Sequence, residues 1–268
     1  AVDIWSKHAK SFGLGQFMGY DLPTGRRGSI PDSKTYKRVY PNGGWRSTTI
    51  VSNSIGQGEI LMTPIQLANM MATIANEGYY YTPHIIKRIE GHKIDKKFTT
   101  KHVTTIDKKY FKPIISGLFD VYNLGTARSL RVEGIDICGK TGTSENFAKI
   151  GGKKVQLKDH SIFVAFAPKD NPKIAIAVMV ENGGYGATIA GPIASLMIEK
   201  YLRQKITRID LEKRILATSL QSEYAIFGGL SETVKLQMRI SDSLLKKKTF
   251  IPTVKVKIDS TKENKKAI

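Results

Sequence analysis

The sequence is poor in cysteine, in acidic side chains and in long apolar runs. Its single cysteine, Cys138, excludes an intrachain disulfide. It leaves the redox compartment open, because many exported proteins have none, and in a strand-forming stretch it reads as a small buried apolar residue rather than a nucleophile. Only 23 aspartates and glutamates stand against 42 lysines and arginines, a formal net charge of +19. That balance permits attraction to an anionic partner. The basic residues are nevertheless spread along the chain, and the densest run, Lys246-Lys247-Lys248, lies near the C-terminus. A solvated face or tail accounts for them better than a nucleic-acid surface, and no nucleic-acid partner is expected. No run approaches the roughly twenty apolar residues that cross a bilayer. The start, Ala1-Val2-Asp3-Ile4-Trp5, carries neither methionine nor a signal-peptide core, so an export signal or membrane anchor is expected outside this chain. No internal repeat is present. What remains is 268 residues with 41% hydrophobic content, enough for one large or two ordinary globular domains.

Along the chain, an amphipathic piece near residues 2 to 12 precedes a loop-rich stretch from 16 to 60, punctuated by Asp21-Leu22-Pro23, Pro41-Asn42-Gly43-Gly44 and Gly56-Gln57-Gly58. So long an irregular stretch usually lines a site. Thr63-Pro64-Ile65-Gln66 reads as a capping box with proline at the first helical position. Ile65, Ala68, Met71, Ala72 and Ala75 would form the apolar face of that helix up to Gly78. A second helix is expected from about Asp107 to Tyr122, burying Phe111, Ile114, Ile115, Leu118 and Tyr122. A third, from Ala187 to Arg203, would present Ala190, Ile193, Ala194, Met197 and Tyr201. Two apolar runs, Ser161 to Ala167 and Ile174 to Val180, flank Pro168-Lys169-Asp170-Asn171-Pro172 and read as strand, turn, strand. The second run is apolar on both parities, so helices should cover both its faces. The fold class is therefore α+β, an antiparallel sheet covered by helices. From 206 onward the segments are charged and helical, ending in a tail expected to be mobile.

Gly134-Ile135-Asp136-Ile137-Cys138-Gly139-Lys140-Thr141-Gly142-Thr143 satisfies two incompatible motifs. As G-x-x-x-x-G-K-T it matches a phosphate-cradling P-loop, whose lysine must open a helix. As K-T-G-T it matches the lysine-bearing strand of active-site serine acyl-transfer enzymes. Local context favours the strand. Ile135, Ile137 and Cys138 are strand formers, Gly142-Thr143-Ser144 is a poor first helical turn, and the runs that follow are antiparallel neighbours rather than a βαβ unit.

Several separated segments, in order, carry a family resemblance: Phe12-Gly13-Leu14-Gly15, then Gly19-Tyr20-Asp21-Leu22-Pro23, Trp45, Ser54-Ile55-Gly56-Gln57-Gly58 and Thr63-Pro64-Ile65-Gln66-Leu67-Ala68. Gly125-Thr126-Ala127, Gly139-Lys140-Thr141-Gly142-Thr143 and His160 through Pro168 complete the series. Together they resemble the C-terminal part of the transpeptidase domain of class B penicillin-binding proteins, those of the penicillin-binding protein 2 type. Tyr20 stands where isoleucine is usual. The resemblance runs from residue 9 to about 203. It divides the chain into a transpeptidase portion over 1–205 and a charged, helical to disordered extension over 206–268.

The resemblance implies a serine β-lactamase/transpeptidase-like fold that is incomplete at the N-terminus. It also implies a peptidoglycan D,D-transpeptidase that cross-links D-Ala-D-Ala stem peptides through an acyl-serine and is inhibited by β-lactams. A D,D-carboxypeptidase or a β-lactam-sensing receptor of the same superfamily fits the same segment. By this resemblance Lys140 is catalytic, supplying positive potential and helping proton transfer, and the backbone N–H of Thr143 is an oxyanion donor. Thr141, Gly142 and Thr143 would bind substrate, the hydroxyls taking its terminal carboxylate and Gly142 leaving room for it to lie as an added strand. No metal or organic cofactor is implied. The implied partners are stem peptides, β-lactams and a glycosyltransferase of the elongation machinery, at the periplasmic face of the inner membrane.

The family's S-x-x-K and S-x-N motifs have no credible counterpart. Ser243-Leu244-Leu245-Lys246 lies beyond the K-T-G strand in a charged segment, and Ser144-Glu145-Asn146 continues that strand directly. A fragment that is inactive alone is expected. His160 reads as a polar residue opening a strand, and Ser54 to Gly58 reads equally well as a cleft-shaping or a purely structural turn. With the upstream region missing, the surface around Phe163, Ala165, Ile176 and Val178 is expected to be bare.

Overall fold

The computed structural model describes residues 1–22, 24–87, 89–150, 152–227 and 236. The chain divides into two compact units, Ala1–Leu220 and Gln221–Ile268. In the second, a 3-10 helix spans Gln221–Phe227. Ser243, Lys246 and the basic tail lie outside the described residues.

In the first unit, α1 (Val2–Lys10) and α2 (Ser33–Val39) precede a 3-10 helix, Ser47–Ile55, and α3 (Pro64–Ala75). The stretch from 16 to 60 is thus less irregular than expected. Its regular pieces are short and held by caps: Asp32 accepts from the Thr35 N–H, and the left-handed Gly56 (φ 77°) ends the 3-10 helix. Ser54 to Gly58 is therefore a helix terminus that requires a positive φ. The Asp32 carboxylate also accepts from the Thr35 hydroxyl and from Lys10 at 3.1 Å. The Thr35 bonds, with Lys10, hold its pKa at about 2 against an ordinary 3.8, a shift equivalent to roughly 2 kcal/mol of folding stability. Because the folded value is the lower one, that stability is complete above about pH 4 and is lost as pH falls towards 2. Asp32→Asn should remove much of the acid-limb slope of a urea-denaturation series between pH 4 and 2. An unchanged slope would refute the assignment.

The expected capping box is present: Thr63 Oγ1 accepts from the Gln66 N–H, and Gln66 Oε1 accepts from the Thr63 N–H. The buried side of α3 differs from the expected stripe. Gln66, Leu67, Asn69, Met71 and Thr73 are buried and Ile65 is exposed. The reason is that α3 is clamped on two sides. Leu67 and Met71 face the sheet, while the Gln66 amide donates to the carbonyls of Gln16 and Arg27 and the Asn69 amide to that of Phe12. An irregular loop laid against a helix leaves backbone carbonyls to satisfy, and buried amides satisfy them.

A two-stranded pair, β1 (Tyr79–Tyr80) with β2 (His102–Val103), brackets the short α4 (Lys96–Thr99). After it comes α5 (Phe111–Asn123), shorter at its start than expected because Lys108–Tyr110 forms a 3-10 turn capped by Asp107. Phe111 and Tyr122 are buried, but Ile114 is exposed. The main sheet is β3 (Cys138–Ile150), β4 (Lys153–Ala167) and β5 (Ile174–Val180), antiparallel in the order β3-β4-β5. Then come α6 (Ala190–Arg203) and α7 (Ile209–Leu216).

Alternate residues of the sheet feed two cores. Ile137, Phe163, Ala165 and Ile176 pack with Tyr122, Leu130, Ala190, Ala194 and Ile198 on one face. Cys138, Val164 and Phe166 pack with Leu67 and Met71 on the other. The expectation of a bare surface around Phe163, Ala165, Ile176 and Val178 is therefore wrong: α6, the end of α5 and Leu130 cover it. An open apolar groove of about 570 Å³ lies elsewhere, walled by Trp5, Phe12, Leu14, Met62, Ile74 and Phe111. The stripe of α6 is also rotated from the expected one. Ala190, Ala194 and Ile198 face the sheet, whereas Met197 and Tyr201 are exposed. The rotation also buries Glu199. Fully buried, it accepts from the Thr207 N–H and hydroxyl and from Arg208 Nε at 2.9 Å, tying α6 to the start of α7. Burial would raise its carboxyl, but these hydrogen bonds outweigh it and hold the group below its ordinary value.

Candidate active site

K-T-G-T lies inside β3, in register with β4: Lys140 opposite Val164, Thr141 opposite Phe163, Gly142 opposite Ile162 and Thr143 opposite Ser161. A lysine in the middle of an antiparallel strand cannot open a helix, so the P-loop alternative fails. Among the described residues β3 pairs only with β4, leaving its other edge without a strand neighbour. Such an edge is a template for an extended peptide.

Lys140 is exposed, and its Nζ donates to the Thr141 carbonyl at 2.8 Å. In a strand the N–H and C=O groups of alternate residues point to the same edge, so that carbonyl and the Thr143 N–H share one edge. Thr141, Gly142 and Thr143 are half-buried. The Thr141 and Thr126 hydroxyls are 3.0 Å apart, which brings a segment from the end of α5 onto the strand. All four predicted site residues are thus contiguous on one strand. What the sequence did not reveal is the set of residues that hold the strand in place.

The connection from β5 to α6 crosses directly over K-T-G-T. Gly186 lies so close that a Cβ there would stand 2.4 Å from the Ile162 carbonyl oxygen and 2.6 Å from that of Gly142. Ser161, fully buried, donates to the Tyr185 carbonyl at 2.9 Å and accepts from the Ala190 N–H at 3.1 Å, pinning the crossing at both ends. Asn182 accepts from Asn146 Nδ2 at 2.6 Å, and its N–H donates to His160 Nδ1 at 3.2 Å. His160 therefore lies within β4 and braces the end of β5. Gly183-Gly184-Tyr185-Gly186 carried the only sequence signal for this crossing, a glycine-rich turn after an apolar strand.

Ser144-Glu145-Asn146 continues β3 through a register irregularity between Ser144 and Asn146 and forms no separate wall. Cys138 is buried behind the strand; burial pushes its thiol up to about 12, and it donates weakly to the Ile115 carbonyl. A thiol so placed stays protonated and does not act as a nucleophile. Among the described residues no three His, Cys, Asp or Glu side chains are grouped to hold a metal.

The model of the penicillin binding protein transpeptidase domain matches residues 2–199. The chain belongs to this family. Within it, the chain is 34% identical over 203 residues to the peptidoglycan D,D-transpeptidase MrdA of Acinetobacter baumannii, an alignment covering 70% of the chain and 30% of that protein. The transpeptidase fold is matched by crystallised Pseudomonas aeruginosa PBP2 at a TM-score of 0.64 and 29% identity, over 78% of this chain and 44% of that one. It is matched also by Helicobacter pylori PBP2, solved as a complex with MreC, at a TM-score of 0.61 and 28% identity, over 76% of this chain and 36% of that one. The chain is thus a class B, PBP2-like transpeptidase domain sequence with the α+β fold of that group, and it spans about a third of the length of the curated relatives it matches.

Proposed function

We propose that this chain is the K-T-G-bearing part of a peptidoglycan D,D-transpeptidase, which cross-links D-Ala-D-Ala stem peptides through an acyl-serine and is blocked by β-lactams. The observation that carries the proposal is the placement of Lys140, Thr141 and Thr143 on an unpaired sheet edge in a chain of this family. An acceptor or donor peptide would lie along that edge as an added strand. Lys140 would supply positive potential to the substrate carboxylate and assist proton transfer. The Thr141 and Thr143 hydroxyls would bind that carboxylate, and the Thr143 N–H would stabilise the tetrahedral oxyanion. Gly142 leaves the strand surface open. The serine nucleophile and its lysine base belong to S-x-x-K, and S-x-N supplies the remaining wall. In the sequence the only S-x-x-K, Ser243 to Lys246, follows the K-T-G strand and lies outside the described residues, and Ser144-Glu145-Asn146 continues that strand, so the chain by itself would be inactive.

The parent would work at the periplasmic face of the inner membrane, held by an anchor outside this chain, beside a glycosyltransferase. The MrdA name and the MreC complex of the relatives support that setting. The division into a transpeptidase portion over 1–205 and an extension over 206–268 belongs to the same proposal. The test is release of D-alanine from a D-Ala-D-Ala-terminated peptide by the longer parent, with an added amine as acceptor. Transpeptidation predicts D-alanine release coupled to amine incorporation and abolished by penicillin. Release by hydrolysis alone would assign a carboxypeptidase, and no release would refute the reading.

A further inference from the structure

Beyond the sheet proper, β3 and β4 run on as a two-stranded ribbon. β5 pairs with β4 only over Ser161–Ala167, whereas β3 and β4 stay paired from Asn146 opposite Leu157 to Ile150 opposite Lys153. The ribbon has two unlike sides. Ala148, Ile150, Val155 and Leu157 are half-buried on one, while Phe147, Lys149, Lys154 and Gln156 are exposed on the other.

The exposed side is built against its own stability. Lys149 and Lys154 stand directly opposite each other, and like charges in that position repel. Lys153 stands opposite Ile150, on the other side of the ribbon at its tip, and is not part of this face. Among the described residues no salt bridge reaches Lys149, Lys153 or Lys154. Phe147 stays 42% exposed although it is the one aromatic on the ribbon, and Lys154 Nζ lies 3.9 Å from its ring centre. An aromatic ring and two ammonium groups that no described salt bridge reaches, on one face of the ribbon, suit a ligand bearing repeated carboxylates along a chain with apolar faces.

We propose that this face, Phe147 with Lys149 and Lys154, binds the carboxylate-bearing strand of uncross-linked peptidoglycan and guides it to the K-T-G-T edge. The inference rests on the transpeptidase reading above. Lys149 lies six residues beyond Thr143, roughly 20 Å along an extended strand. It is too far to touch the reacting dipeptide and suitably placed for the polymer behind it. An anionic membrane surface is the competing partner. The last pair of the ribbon sets Lys153 opposite a half-buried Ile150 and the aromatic sits behind it, so the tip presents an ammonium rather than the exposed apolar cluster of a ribbon that enters lipid.

The experiment is co-sedimentation of the chain with purified, protein-free peptidoglycan low in cross-links. Three proteins are compared: the native chain, Lys149→Gln/Lys154→Gln, and a control carrying Lys34→Gln/Lys37→Gln. Circular dichroism and melting verify that the folds are equal. The ribbon variant should bind about tenfold more weakly and lose most of its salt dependence, and the control should bind like the native chain. Equal loss in both variants, or none in the ribbon variant, overturns the proposal. Binding to phosphatidylglycerol vesicles but not to peptidoglycan overturns it in favour of a membrane. Penicillin acylation of the longer parent separates the two readings. If the parent is acylated and its ribbon variant keeps the native acylation rate, a binding defect belongs to the ribbon. If the parent is not acylated at all, the transpeptidase reading fails and the polymer-guiding role falls with it.

Discussion

Lys140→Ala in the longer parent is expected to lower the rate of acylation by penicillin by about a hundredfold or more, the usual cost of deleting a preorganised electrostatic group from an acyl-transfer site. The fold should be untouched. Lys140 is exposed, and its one hydrogen bond runs to the Thr141 carbonyl of its own strand. Removing it therefore leaves no cavity, and the melting temperature should stay near the native value. Stopped-flow acylation with a chromogenic cephalosporin separates binding from chemistry: the loss should fall on the acylation step. A variant that acylates at the native rate would show that Lys140 has no part in the reaction.

Gly186→Ala should be nearly as damaging, although no substrate contact is assigned to residue 186 itself. The new Cβ would meet the Ile162 and Gly142 carbonyl oxygens far inside van der Waals contact. Both are backbone atoms that cannot swing aside, so the crossing loop or the K-T-G strand must move. A displacement of about 1 Å at reacting groups costs on the order of a hundredfold in rate. Overpacking should also lower stability by roughly 1–3 kcal/mol. Gly117→Ala is the matched control: it lies on the exposed side of α5 with open space around it, so it should leave acylation unchanged and stabilise slightly. Native acylation by Gly186→Ala would mean that the close crossing does not position the strand.

The parts of this fold that were legible in the sequence are those written locally. The capping box of Thr63 and Gln66, the strand through K-T-G-T and the alternation from Ile174 to Val180 each depend on a few adjacent residues, and each appears as read. What was not legible depends on distant partners. Ile65 reads as inward because it is apolar, but Gln66 and Asn69 are the buried residues there because the loop from 12 to 28 needs donors for its carbonyls. Met197 and Tyr201 read as sheet-facing, but α6 buries Ala190, Ala194 and Ile198 together with Glu199, which pairs with Arg208, and Met197 and Tyr201 face solvent. In the sequence nothing near Phe163 marks what covers it, whereas in the fold α6 from the same chain does so.

The candidate site divides in the same way. Lys140, Thr141, Gly142 and Thr143 form one contiguous motif and were readable. Thr126, Ser161 and Gly186, which hold that motif in place, come from three other parts of the chain, and only Gly186 has a local mark, the glycine-rich turn after β5.

The measurement that bears most directly on this account is the intact mass of the chain and of the longer parent after incubation with the same fluorescent penicillin. The account predicts one equivalent of adduct on the parent, mapped to the serine of its S-x-x-K, and none on the chain. An adduct on any serine of the chain, or a parent that stays unmodified, would contradict it.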